Sequence, residues 1–90
     1  MSKFVFLEAF AGKSKEQQRP FNKVSIAMIR DDGTVRSYDL FTEGGALLSN
    51  QKELRFGDIV QPSYKAADYP GGRQTLVALE VVEKSPYYGG

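Results

Sequence analysis

The chain contains neither cysteine nor histidine. The first absence excludes a disulfide framework and any thiolate metal site; the second removes imidazole ligands; together they remove the Ser-His and Cys-His pairs that activate most nucleophiles. Neither sign of charge dominates, with 12 lysines and arginines against 11 aspartates and glutamates, so an anion site must be local. Long apolar runs are lacking too. Phe4-Val5-Phe6-Leu7 is broken by Glu8, too early for a secretory signal or a membrane span, and the cytoplasm is the expected location. There is no internal repeat and no linker, so 90 residues predict one domain with a thin core, for which a homodimer is expected to add stability. No cofactor, metal or catalytic activity is expected. The acids Asp31, Asp32, Asp39 and Asp58 would hold a metal only if folding brought them together.

What is present is β-structure and one basic segment. Lys3 to Ala11 is rich in Phe, Val and Leu, and Asn22 to Arg30 alternates Val24, Ile26 and Met28 against Lys23, Ser25 and Ala27; both predict strands. Asp31-Asp32-Gly33 predicts a tight hairpin turn into a third strand over Thr34 to Thr42. A short helical turn is expected within Glu43 to Phe56. Ile59 to Lys65 predicts a fourth strand, at an edge or bulged because Pro62 offers no ladder donor. After a turn at Tyr69-Pro70-Gly71-Gly72, Gln74 to Glu83 predicts a fifth, and residues 85–90, with one proline and two terminal glycines, read as a flexible tail. In strand one, alternation places Phe4, Phe6 and Phe10 on one face and Val5, Leu7 and Ala9 on the other, so both faces are expected to be covered, the second by the 43–56 connection; exposure of Phe6 or Phe10 as part of a nucleic-acid surface is the alternative.

Gly12 to Lys23 carries Lys13, Lys15, Arg19 and Lys23 against Glu16 alone, with Phe21 at its base. Cations on a loop beside an aromatic are suited to neutralise phosphates and stack on a base. Phe21 shares parity with the polar side of strand two, which favours stacking over burial. Arg36 on strand three, and Tyr69 and Arg73 at the last hairpin, are further candidate contacts; Tyr38, which shares a face with Arg36, is expected in the core. Tyr69 at a loop tip suits either a nucleic-acid contact or a symmetric interface.

Five strands with the longest insertion between the third and fourth match the outline of an OB-fold, a five-stranded barrel that commonly binds oligonucleotides. The chain's size, its first strand leading into a basic loop, and the step Arg19-Pro20-Phe21-Asn22 resemble the small single-stranded-DNA-binding proteins of filamentous phages. Gln18 stands where that family tends to place a glycine. The resemblance implies an OB-fold with a DNA-binding wing over 12–23, a last hairpin taking part in dimer contacts, and a non-catalytic protein of phages or mobile elements that coats single strands with little sequence preference during replication. Single-stranded RNA is the alternative nucleic acid, and an adaptor module that uses its aromatics for protein contacts is the alternative class. No membrane partner is expected.

Overall fold

The computed structural model describes residues 2–67, 70–72 and 74–85. It is all-β: β1 (Lys3–Lys13), β2 (Pro20–Ile29), β3 (Val35–Phe41), β4 (Ile59–Lys65) and β5 (Thr75–Glu83). They form one antiparallel sheet in the order β3-β2-β1-β4-β5. The sheet is not closed; an isolated parallel bridge between Thr42 and Leu76 is what joins its two ends. The helical turn expected between β3 and β4 is two short 3-10 turns, Glu43–Gly45 and Gln51–Glu53.

Local chemistry sets the turns. Between β2 and β3, Gly33 takes a φ of 87°, and Asp32 accepts from the Thr34 backbone N–H at 2.9 Å and its hydroxyl at 2.7 Å. These bonds hold the Asp32 carboxyl below its ordinary pKa, the behaviour of an Asx turn that needs the charged form. The first hairpin is tighter than its composition implies: β1 and β2 stay paired as far as Lys13 opposite Pro20, so Gly12, Lys13 and Phe21 are strand residues and the loop is only 14–19. Proline is tolerated as the first residue of a strand.

The core consists of Phe6, Val24, Ile26, Leu48, Leu54, Val60, Leu76 and Leu79, edged by Phe4, Ala9, Tyr38, Leu40 and Val81. Two of these, Leu48 and Leu54, come from the 43–56 connection, which therefore packs on the Phe6 side of β1, not on the Val5 and Leu7 side where alternation placed it. A bulge redirects the rest of the strand. Phe6 pairs with Ile26 and Glu8 with Ser25, leaving Leu7 as an extra residue; beyond it the alternation reverses, Ala9 turns inward, and Phe10 is carried to the outer face at 58% exposure. A one-residue shift does this to every later side chain of a strand.

β4 pairs with β1 only at Ile59 and Val60, so Pro62 lies where the strand has a neighbour on one side, and a register shift follows at Ser63/Tyr64. Two polar clamps fasten the connections. Asn22, fully buried, donates to Ala46 O at 3.1 Å and Gln51 Oε1 at 2.6 Å, while Gln51 Nε2 donates back to Asn22 Oδ1 at 2.9 Å. Asp58, also buried, accepts from the backbone N–H of Arg55 at 2.9 Å and of Ser85 at 2.7 Å. Ser85, assigned from the sequence to the tail, is thus buried and tied to the domain.

Candidate nucleic-acid interface

The outer face of β1, β2 and β3 is organised in rows by the register. Lys23 on β2 is opposite Phe10 on β1 and opposite Phe41 on β3. Phe10 and Phe41 thus flank one lysine at about 10 Å, two strand spacings. Both rings are open to solvent, Phe41 at 41%. Phe21, two residues before Lys23 on the same face, meets Phe10 diagonally with ring centroids 5.8 Å apart and planes tilted by 41°. Gly12, opposite Phe21, makes this contact possible: a Cβ there would lie 3.2 Å from Phe10 Cε1 and 3.4 Å from Phe21 Cζ. Three phenylalanines around one lysine form an apolar, cation-bearing surface of the sort that a folded monomer seldom leaves uncovered without a use.

The basic turn adjoins this surface. Ser14 and Arg19 close it: Ser14 N–H donates to Arg19 O at 2.9 Å, Gln18 N–H to Ser14 O at 3.0 Å, and Arg19 N–H to Ser14 Oγ at 3.3 Å. Gln18 has φ = 54°, a left-handed conformation that favours glycine. Lys15 and Arg19 are exposed at this turn. An ammonium and a guanidinium held a few residues from Phe21 supply the positive charge that a phosphodiester passing over the ring requires.

The remaining sequence candidates are distributed differently. Lys13 lies on the opposite face of the hairpin from Gly12 and Phe21, by alternation. Arg36 is opposite Met28, five residues along β2 from Lys23, and therefore about 16 Å away on the core-side parity. Tyr69 and Arg73 lie outside the described residues. Tyr38 packs against the core as expected, and Tyr64, an exposed residue, has its hydroxyl pKa raised by desolvation and then by Tyr38.

Of this surface, sequence reasoning did not assign Phe41, and it favoured burial for Phe10, whose exposure was only the alternative. For Phe41 the signal was available, since it shares parity with Asp39 and opposes the inward Tyr38 and Leu40. For Phe10 it was hidden by the bulge.

Beside the aromatic row runs a second one, Glu8, Ser25 and Asp39, in which Ser25 Oγ donates to Asp39 Oδ1 at 2.8 Å. Among the described residues no three acidic side chains gather as a metal would need, and no helix is long and apolar enough to cross a membrane.

The chain was compared with protein-family models, curated proteins and solved structures, and none of them matches it.

Proposed function

We propose that this protein binds single-stranded DNA without catalysing a reaction, coating and protecting single strands with little sequence preference, as phage and mobile-element replication requires. The observation that carries this reading is the exposed row Phe10–Lys23–Phe41 with Phe21 leaning on Phe10. Rings that are open on one side offer a π-face to any base, and the cations at 15, 19 and 23 neutralise the phosphates between stacked bases. Lys13 and Arg36, exposed but on the other parity, would serve a strand that continues past the platform, and Tyr69 and Arg73 stay candidate contacts that lie outside the described residues.

The fold is read as an OB-fold. The order β3-β2-β1-β4-β5 becomes the Greek-key circuit of that barrel if β3 and β5 close on each other, and the parallel Thr42–Leu76 bridge is the start of that closure. The left-handed Gln18 supports the likeness to the filamentous-phage proteins, because the turn geometry a glycine would provide is kept without the glycine. A homodimer is part of the proposal: the exposed Val77 and Val82 on β5 gain cover in it, and a monomeric mass at high concentration in solution would refute it.

The test of DNA binding is fluorescence anisotropy with a labelled poly-dT of ~30 nucleotides, longer than the ~4 to 16 that one such barrel covers. Wild type should bind with a log-log salt slope of about −0.7 for each phosphate neutralised. Phe10→Ala, which truncates an exposed ring and leaves the core intact, should weaken binding by a stacking contact of about 1 to 3 kcal/mol without changing that slope. Absence of binding at low salt refutes the reading and leaves the aromatic row as a protein-docking surface.

A further inference from the structure

The aromatic row borders an open groove of about 400 Å³ lined by Leu7, Glu8, Ser25, Ser37, Asp39 and Phe56. Its volume falls within the range of small-ligand clefts, about 300 to 1,000 Å³. Two features make its chemistry specific. It is apolar at its margins, with the bulged Leu7 and the half-exposed ring of Phe56 on one side and Phe10 and Phe41 on the next row. Its polar side carries the carboxylates of Glu8 and Asp39 beside the hydroxyls of Ser25 and Ser37. Asp39 Oδ1 is occupied by the Ser25 hydroxyl, which leaves Oδ2 open, and among the described residues Glu8 has no hydrogen-bond or ion-pair partner. The rows of Phe10 and Glu8 are two residues apart along β1, about 7 Å, so the edge of a base lying on the Phe10 or Phe41 ring reaches the carboxylates.

A phosphate does not enter a groove bearing two carboxylates, so a strand bound on this face keeps its backbone on the Lys15, Arg19 and Lys23 side and turns its bases toward Glu8 and Asp39. The four bases differ in what they present there. The Watson–Crick edge of guanine has two adjacent donors, N1–H and the 2-amino group, which match the two oxygens of one carboxylate. Cytosine and adenine present one amino donor beside an acceptor nitrogen. Thymine presents N3–H between two carbonyl oxygens, both of which face the carboxylate unfavourably.

We propose that this groove is a base-reading pocket, in which Glu8 accepts the N1–H and 2-amino donors of guanine while the open oxygen of Asp39 disfavours bases with acceptor edges. This rests on the single-strand-binding reading and adds to it one nucleotide position with a preference, beside stacking positions that have none.

The experiment measures the affinity of wild type and Glu8→Gln for three oligomers of ~16 nucleotides, the upper end of one barrel's site size: alternating guanine and thymine, alternating inosine and thymine, and thymine alone. Inosine keeps N1–H and lacks the 2-amino group. Wild type should bind the guanine oligomer about fivefold more tightly than the thymine one, the lower end of what a bidentate base contact contributes, with the inosine oligomer between them. Glu8→Gln should bring the three affinities together, lowering that for the guanine oligomer and raising that for the thymine one, whose carbonyl oxygens no longer face a carboxylate. Equal wild-type affinity for all three overturns the base-reading pocket and leaves DNA binding intact. A Glu8→Gln protein that binds all three more tightly by the same factor also overturns it, since the carboxylate then acts only by repelling phosphates. Failure of wild type to bind any of them overturns single-strand binding itself.

Discussion

Exchanging Asn22 for aspartate alters one atom group in the middle of β2, and the structure indicates what that costs. The Asn22 amide nitrogen faces two oxygens, Ala46 O at 3.1 Å and Gln51 Oε1 at 2.6 Å, in a side chain with no solvent exposure. Asn22→Asp replaces that donor with an oxygen, removing two hydrogen bonds of about 1 kcal/mol each and leaving a buried group facing acceptors. The total is about 3 to 5 kcal/mol, a large share of the roughly 5 to 15 kcal/mol available to a domain of this kind. At about 4 to 8 °C per kcal/mol for a domain this small, the thermal midpoint should fall by some 15 to 30 °C. The loss should also depend on pH. A buried aspartate facing oxygens has a folded pKa above its unfolded value near 3.9. The variant therefore keeps most of its stability below the unfolded pKa and loses it as pH rises through the folded one. Urea melts of both proteins near pH 4 and pH 7 measure the gap, which should be narrow in acid and wide at neutrality. A variant that melts within a few degrees of wild type at neutral pH, or a gap that narrows as pH rises, refutes the claim that the Asn22–Gln51 pair pins the 43–54 connection to β2 beside Phe21 and Lys23.

Two further substitutions test the backbone beneath the interface. Gln18→Gly relieves a left-handed residue that costs an L-amino acid roughly 1 to 2 kcal/mol, and it gives back about 0.4 to 1 in unfolded-chain entropy. The thermal midpoint should rise by a few degrees with poly-dT affinity unchanged, and a fall would mean that the exposed bond from Gln18 Nε2 to Lys15 O at 3.3 Å matters more than the strain. Gly45→Ala does the opposite. At φ = 77° its new Cβ would lie 2.8 Å from the carbonyl carbon of Pro20 and 3.0 Å from Phe21 N, and backbone atoms cannot swing away. A loss of roughly 2 to 4 kcal/mol is expected in a denaturant melt, and a loss below about 1 kcal/mol would show that the 43–45 turn does not press on the start of β2.

The strands and the Asp32-Gly33 hairpin were legible because period-two alternation and turn chemistry are local, and their limits fell within a residue or two of those observed. The extent of the first hairpin was not, because pairing out to Lys13 and Pro20 depends on the turn closing through the Ser14 side chain and a left-handed Gln18, neither of which a polar, charged segment advertises. The candidate surface was legible in Lys15, Arg19, Lys23 and Phe21, whereas for Phe10 the alternation favoured burial over the exposure that the structure has, for a reason that strand one itself contains. Strict alternation over Phe4, Phe6, Glu8 and Phe10 places a carboxylate among three phenylalanines on a face that must then be buried, with Val5, Leu7, Ala9 and Ala11 on the other. An unpaired glutamate in a small core costs far more than a ladder irregularity. The chain takes the irregularity: the extra residue at Leu7 keeps Phe4 and Phe6 on the core side and moves Glu8 and Phe10 together to the outside. The bulge that removes the acid from the core also exposes the ring, so the Glu8 carboxylate and the Phe10 platform reach the outer face by one event and sit two residues apart on it. Removing Leu7 should abolish the bulge and leave both residues outside, because Phe6, Glu8, Ala9 and Phe10 then alternate in step with Ile26, Ser25, Val24 and Lys23, and poly-dT affinity should be kept; loss of binding on this deletion would refute the assignment of Leu7 as the extra residue.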